Sequence, residues 1–448
     1  MTDGDPRLKE AAPDRALKGQ RSAVVVVHGI GEQRPMTTLR GFLRGLWPTR
    51  TLFTVPDWAD ISFELSTFIV PKDATDSGKQ IDFYEGYWAP DARGTRLSHV
   101  TSWARQLFLR TPGSLPSRLR VVWCAASVLV VVAAVLVGTG IYERITSSDV
   151  WWVTALRALG AAAAGAVAGW LTSGLGDAAR YLDAKPANVE MRRTIRNRMV
   201  ELLDYFHTSG RYERVVVVGH SLGAVIAYDA VRLLWQRRVS RERFAGDESD
   251  LVEAATRLLE SRGDRAELAR KDFTGAQLRL CRQLGDDPKL EGRDPEGAPS
   301  YAPRWLISDL VTVGAPVAHA TLLMAGKEGA FRDQIEERSL PTCPPQWADP
   351  SSFCFESDDG KRIHHGAVFA AVRWTNVYAA GDFVGGPINP VGELNGGLGP
   401  DAGLGIGVVN YEVTEPRYMR RPWSHTRYWK SEEGEGTSWS YLRSVLPS

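Results

Sequence analysis

Residues 215–223 read Val215-Val216-Val217-Val218-Gly219-His220-Ser221-Leu222-Gly223 and lead into an apolar stretch that reaches Trp235. Four consecutive β-branched residues show no polar alternation, which fits a strand covered on both faces. Leu222–Trp235 has the spacing of a helix, so the junction reads as strand, turn, helix. The turn carries Gly-x-Ser-x-Gly. As a bare pattern this is weak evidence, because a chain of this composition produces it readily by chance. The setting gives it chemical meaning. A turn this tight presses both glycines against neighbouring backbone, where side chains would collide. It also lifts the serine hydroxyl above the sheet, at the positive end of the following helix. The bland alternative is a glycine-rich turn whose serine merely caps a helix.

Working outward, Val24–Val27 is a second such run and enters His28-Gly29-Ile30-Gly31. Ile61–Val70 and Ile81–Trp88 are further strand candidates, separated by a polar turn with Ser77 and Gly78. Leu310–Val313, Trp374–Tyr378 and Val408–Val413 follow later, and residues 187–207 show helical spacing. Strands alternating with helices predict an α/β fold with a mainly parallel central sheet. Residues 1–21 form a polar leader. Residues 240–300 are heavily charged, with helical patches at Leu251–Leu259 and Ala266–Leu284. They read as a polar helical insertion over the edge or mouth of the sheet: a lid, a cap or solvated surface.

One segment differs in kind. Val121 to Tyr142 is a 22-residue run without a charge, which as a helix would span about 33 Å, the depth of a bilayer's hydrocarbon core. Val150 to Thr172 is apolar apart from Arg157, with Trp151, Trp152 and Trp170 at its ends as interfacial anchors. Arg157 would cost about 3 kcal/mol at a helix centre, but it lies near one end, where it can snorkel. Residues 119–173 therefore predict a transmembrane helical hairpin, the alternative being two buried helices of a large core. Arg105, Arg110, Arg118 and Arg120 precede it, and Arg180, Lys185, Arg192 and Arg193 follow, whereas the loop between has only Arg144. That asymmetry places both ends and both termini on the cytoplasmic side of the inner membrane. Residues 22–118 and 174–448 can then build one catalytic domain.

Composition excludes little else. The formal net charge of +1 gives no field that would recruit nucleic acid. Cys124, Cys281, Cys343 and Cys354 are scattered without a CxxC pair, so they read as free thiols and not as a zinc site. The first 20 residues lack the apolar core of a secretory signal.

A serine hydroxyl is a weak nucleophile at neutral pH and needs a base. Asp382 sits just past the strand Trp374–Tyr378, in Ala379-Ala380-Gly381-Asp382-Phe383, where such sheets place functional groups. In the order nucleophile, acid, histidine, only His425 lies beyond Asp382. Asp382 could instead be a turn aspartate, His425 an ordinary surface or core residue, and Asp309 and Asp401 are the fallback acids. The developing oxyanion requires two fixed N–H donors, which point to Leu222 and Ile30. His28 then braces the Gly29 loop.

Together His28-Gly29, the Gly219–Gly223 turn, Thr312-Val313-Gly314-Ala315-Pro316, Asp382 and His425 resemble bacterial lipases and esterases of the α/β-hydrolase superfamily. The likeness covers the sheet-forming parts, roughly two-thirds of the chain. It implies an α/β-hydrolase fold, which the expected hairpin would interrupt, and a Ser–His–Asp acyl-enzyme mechanism without metal or organic cofactor. Ala315, where family lipases carry serine, and the hairpin itself depart from the common pattern. A membrane-anchored lipase or phospholipase acting on a lipid or acyl-ester substrate is the leading expectation. The alternatives are a thioesterase acting on lipidated substrates, a non-catalytic membrane effector with the same fold, and an oligomerising hairpin packed through Gly165 and Gly169.

Overall fold

The computed structural model describes residues 21–30, 34–56, 64–92, 178–241, 244–286, 291–293, 299–301, 305–324, 328–346, 352–391, 403–421, 424–430 and 434–446, apart from positions 76, 179, 245 and 359, together with 113, 115, 117–120, 123–124 and 127–128. Among these residues eight strands form one sheet: β1 (Arg21–Val27), β2 (Phe53–Pro56), β3 (Ser66–Val70), β4 (Gln80–Gly86), β5 (Arg214–His220), β6 (Ile307–Val313), β7 (Arg373–Ala379) and β8 (Val409–Val413). Their spatial order is β8-β7-β6-β5-β1-β4-β3-β2. β3 alone runs against the direction of the rest of the sheet, pairing antiparallel with β2 and β4. The other pairings are parallel. A largely parallel α/β sheet is what the strand and helix pattern predicts.

The valine runs owe their continuity to burial on both sides. Val24, Val26, Val216 and Val218 join one apolar cluster, and Val25, Val27, Val215 and Val217 join the other. On the first face lies α1 (Thr37–Leu46), through Leu39, Phe42, Leu43 and Leu46. The opposite face is covered by α2 (Val189–Thr208), α3 (Leu222–Arg238), α4 (Ser249–Glu260) and α5 (Asp264–Asp286). The C-terminal helix α6 (Ser438–Val445) returns to the first face with Trp439 and Leu442. Residues 222–231 of α3 are buried all round, which explains why that helix shows so little amphipathic pattern.

The segment expected as a polar insertion is α4 and α5, and their inner faces belong to the core. Leu251, Ala254, Ala255 and Leu258 recur at helical spacing along α4 and are buried. Phe273, Ala276 and Leu280 do the same along α5. Gln277, also buried, donates to the carbonyls of Phe369 and Val372 and fastens α5 beside β7. Truncating Phe273 to alanine would remove about 3–5 kcal/mol. The four cysteines are free.

Among the described residues no helix is long and apolar enough to cross a membrane. The expected hairpin at 119–173 lies outside the described residues, apart from 119–120, 123–124 and 127–128.

Candidate active site

Register brings four loops together. Val27 of β1 pairs with Gly219 of β5, His220 with Val313 of β6, and Val313 with Val377 of β7. These parallel strands therefore end side by side. From β1 the sheet grows towards β4, β3 and β2, and from β5 it grows towards β6, β7 and β8. The strand order thus reverses between β1 and β5, and the helices that follow them lie on opposite faces. Such a reversal opens a crevice at the carboxyl ends of the strands.

Ser221 stands in that crevice with φ 54° and ψ −129°. For a residue with a side chain this backbone conformation costs on the order of 1–3 kcal/mol and persists only where neighbours enforce it. Its N–H donates to the Val313 carbonyl at 3.0 Å, and its carbonyl accepts from Ala224 N–H at 3.0 Å. The flanking glycines permit the turn. A Cβ on Gly219 would lie 2.5 Å from Ala224 Cα, and one on Gly223 would lie 2.3 Å from the His28 carbonyl oxygen. The β1 loop also closes on the serine, since a Cβ on Gly29 would meet Ser221 Cβ at 3.0 Å.

Ser221, His425 and Asp382 come together as one chain of hydrogen bonds. His425 Nε2 lies 2.9 Å from Ser221 Oγ. Its Nδ1 lies 2.9 Å from Asp382 Oδ2 and 3.1 Å from Oδ1. Burial disfavours the Asp382 carboxylate, but the bonds from His425, Gly385 N–H and the Tyr428 hydroxyl outweigh it and hold the acid at about 2. Val384 and Gly385 donate their N–H groups to Oδ1 at 2.8 and 3.0 Å. An ionised carboxylate only accepts, so Nδ1 carries a proton, and when Nε2 is unprotonated it accepts from Ser221.

The other residues singled out by sequence also fall around this crevice. Leu222 opens α3, where first-turn N–H groups have no acceptor within the helix. Ile30 is half-buried on the loop that carries Gly29. His28 is fully buried and stacked on Trp88 with ring centroids 4.9 Å apart. Its Nδ1 lies 2.8 Å from the Gly29 carbonyl, and its Nε2 accepts from Trp88 N–H. Burial pushes its pKa down to about 4, so the neutral ring donates at one nitrogen and accepts at the other. These contacts brace the loop. The fallback acid Asp309 is remote from the crevice, near the start of β6, paired with Arg214 at 2.7 Å and Arg373 at 2.5 Å. Asp401 lies outside the described residues.

Two neighbours carry no sequence signal for their position. His220 stacks on His425 at 5.4 Å, and its Nε2 lies 3.2 Å from the His425 carbonyl oxygen. Burial, then the adjacent His425, pushes it down to about 3, so it is the neutral donor of that bond. Tyr428, also buried, places its hydroxyl 2.9 Å from Asp382 Oδ2. It lies three residues beyond His425, yet nothing in the sequence foretells that its hydroxyl meets the acid.

Comparison with family models, with curated proteins and with solved structures finds no match to this chain.

Proposed function

We propose that this chain is a serine hydrolase of the α/β-hydrolase type that cleaves carboxylic esters through an acyl-enzyme. The observation that carries the reading is the continuous Asp382–His425–Ser221 hydrogen-bond chain, ending on a serine in an enforced turn. In the first step His425 Nε2 takes the hydroxyl proton as Ser221 Oγ bonds to the ester carbonyl carbon. The negative charge on the carbonyl oxygen is met by the N–H groups of Leu222 and Ile30. The imidazolium, stabilised by Asp382, gives its proton to the departing alkoxide as the C–O bond breaks. Water then attacks the acyl-serine with His425 as base, releasing the acid and restoring the serine. The chemistry uses the chain's own side chains and calls for no metal or organic cofactor.

The substrate class rests on the sequence. The apolar stretches at 121–142 and 150–172 support a membrane-anchored enzyme whose catalytic domain and termini face the cytoplasm. Tethering concentrates bilayer esters at the crevice, which favours a lipase or phospholipase. Of the basic residues flanking the stretches, Lys185 and Arg193 are exposed and would sit near anionic headgroups, whereas Arg180 is buried on the Ala92 carbonyl. The test is hydrolysis of 4-nitrophenyl esters from acetate to palmitate by the detergent-solubilised chain. Turnover that rises with acyl length supports a lipid esterase. Turnover of short esters alone removes the lipid assignment, and turnover of none removes the esterase.

A further inference from the structure

Tyr428 OH lies between two partners of known polarity. The Ala379 N–H, at the end of β7, is 2.8 Å away and can only donate. Asp382 Oδ2 is 2.9 Å away and, as a carboxylate oxygen, can only accept. The phenol therefore has one arrangement: its oxygen accepts from Ala379 and its proton points at Oδ2. That same Oδ2 receives the Nδ1–H of His425.

The surroundings hold the ring in place. Gly314, at φ 55°, leaves space that a Cβ would fill only 2.6 Å from Tyr428 Cε2 and 2.9 Å from Asp382 Oδ2. Ser438, at the start of α6, donates to the Tyr428 carbonyl at 2.7 Å. Burial and the adjacent carboxylate both raise the phenol's pKa, which keeps its proton on at working pH.

Resting on the hydrolase reading, we propose that Tyr428 is a positioning residue that fixes the Asp382 carboxylate and shares its charge with His425. A carboxylate with a second donor at Oδ2 is oriented but is a weaker acceptor for Nδ1–H. Without that donor the charge concentrates on the histidine bond, and the carboxylate is free to swing about its remaining contacts.

Tyr428→Phe keeps the ring and removes only the hydroxyl. The low-field proton resonance of His425 Nδ1 should move further downfield in this variant, as its bond to Asp382 shortens. The maximal rate of labelling by a fluorophosphonate should fall on the order of 10-fold, with its half-saturating concentration unchanged. Site-specific Tyr428→3-fluorotyrosine, with the fluorine directed away from Gly314, keeps both hydrogen bonds and strengthens the donor. It should move the resonance upfield, and it covers the case in which Tyr428→Phe fails to fold. A resonance unchanged in either folded variant overturns the proposal. Absence of label on the wild type would sink the hydrolase reading itself, and the resonance would still decide the role of Tyr428.

Discussion

Ser221 Oγ and His425 Nε2 lie 2.9 Å apart although 204 residues separate them in the chain. That contact is made by sheet register and not by local sequence. Ser221 is fixed by β5, β6 and the start of α3, and His425 by a single helical turn, Ser424–Thr426, whose backbone carbonyl is bound by His220. In the proposed mechanism, a base held from both sides loses little orientational freedom when it takes a proton, which is the advantage of a preorganised pair.

The role of Asp382 predicts a large effect from a small change. Asp382→Asn keeps the shape and can still accept from Val384 and Gly385 at one oxygen. Its amide N–H₂ would then face His425 Nδ1, forcing the proton onto Nε2 and leaving the ring unable to accept from Ser221. Reaction with a fluorophosphonate should slow on the order of 10⁴-fold with the fold intact. A slowing of less than about tenfold would mean that the carboxylate does not set the tautomer.

Asp309 supplies the matching control. It is buried between Arg214 and Arg373 at the opposite end of β6 from Ser221. Asp309→Ala should destabilise the chain by about 3 kcal/mol, read as a lower urea midpoint, because two arginines lose their partner. Its labelling rate at Ser221 should stay at the wild-type value. A loss of labelling in protein that remains folded would reopen the choice of acid.

Gly223 keeps the Ser221 turn clear of its neighbours by steric necessity. A methyl group there would sit 2.3 Å from the His28 carbonyl oxygen and 2.4 Å from that of Val27, neither of which can move without parting β1 from α3. Gly223→Ala should cost at least about 3 kcal/mol and abolish labelling. Wild-type melting behaviour in this variant would show that the loop is looser than described.

Stability should depend on pH in two opposite ways. Asp382 is held at about 2, below its ordinary 3.8. Its contribution, on the order of 2 kcal/mol, is therefore full above pH 4 and lost as pH falls from 4 towards 2. Glu85 behaves in reverse. Burial raises it from 4.5 to about 7, although Met36 N–H donates to one of its oxygens. The other oxygen, Oε1, has no hydrogen-bond partner among the described residues. Folding favours its protonated form, so the stability it contributes is present below pH 4.5 and lost as pH rises through 7, by on the order of 3 kcal/mol. The buried neutral His28 and His220 add stability to wild type and variant alike as pH rises, so the Glu85 effect is read as a difference: between pH 5 and pH 8 in urea, wild type should fall relative to Glu85→Gln by on the order of 3 kcal/mol. The same pH response in both proteins would remove Glu85 as the cause.

Much of this arrangement is legible in the chain. The valine runs at 24–27 and 215–218 announce strands buried on both faces, and the glycines after them announce close backbone approach. The order serine, aspartate, histidine leaves His425 alone beyond Asp382. The partners that complete the site are not legible. Tyr428 reaches Asp382 across 46 residues by the path of the chain after β8, and no periodicity records such a return. The core role of α5 is hidden because its charged residues outnumber the narrow stripe of Ala269, Phe273, Ala276 and Leu280. β2 is four residues long, at the sheet edge, with Phe53 exposed, and so lacks the alternation that marks a half-buried strand.

The most direct test of the central claim is labelling of the detergent-solubilised full chain with a fluorophosphonate, with the modified peptide located by mass spectrometry. An activated Ser221 predicts one adduct, on Ser221, that is absent from Ser221→Ala and His425→Ala. A folded wild type that takes no label, or takes it on another residue, would contradict the claim.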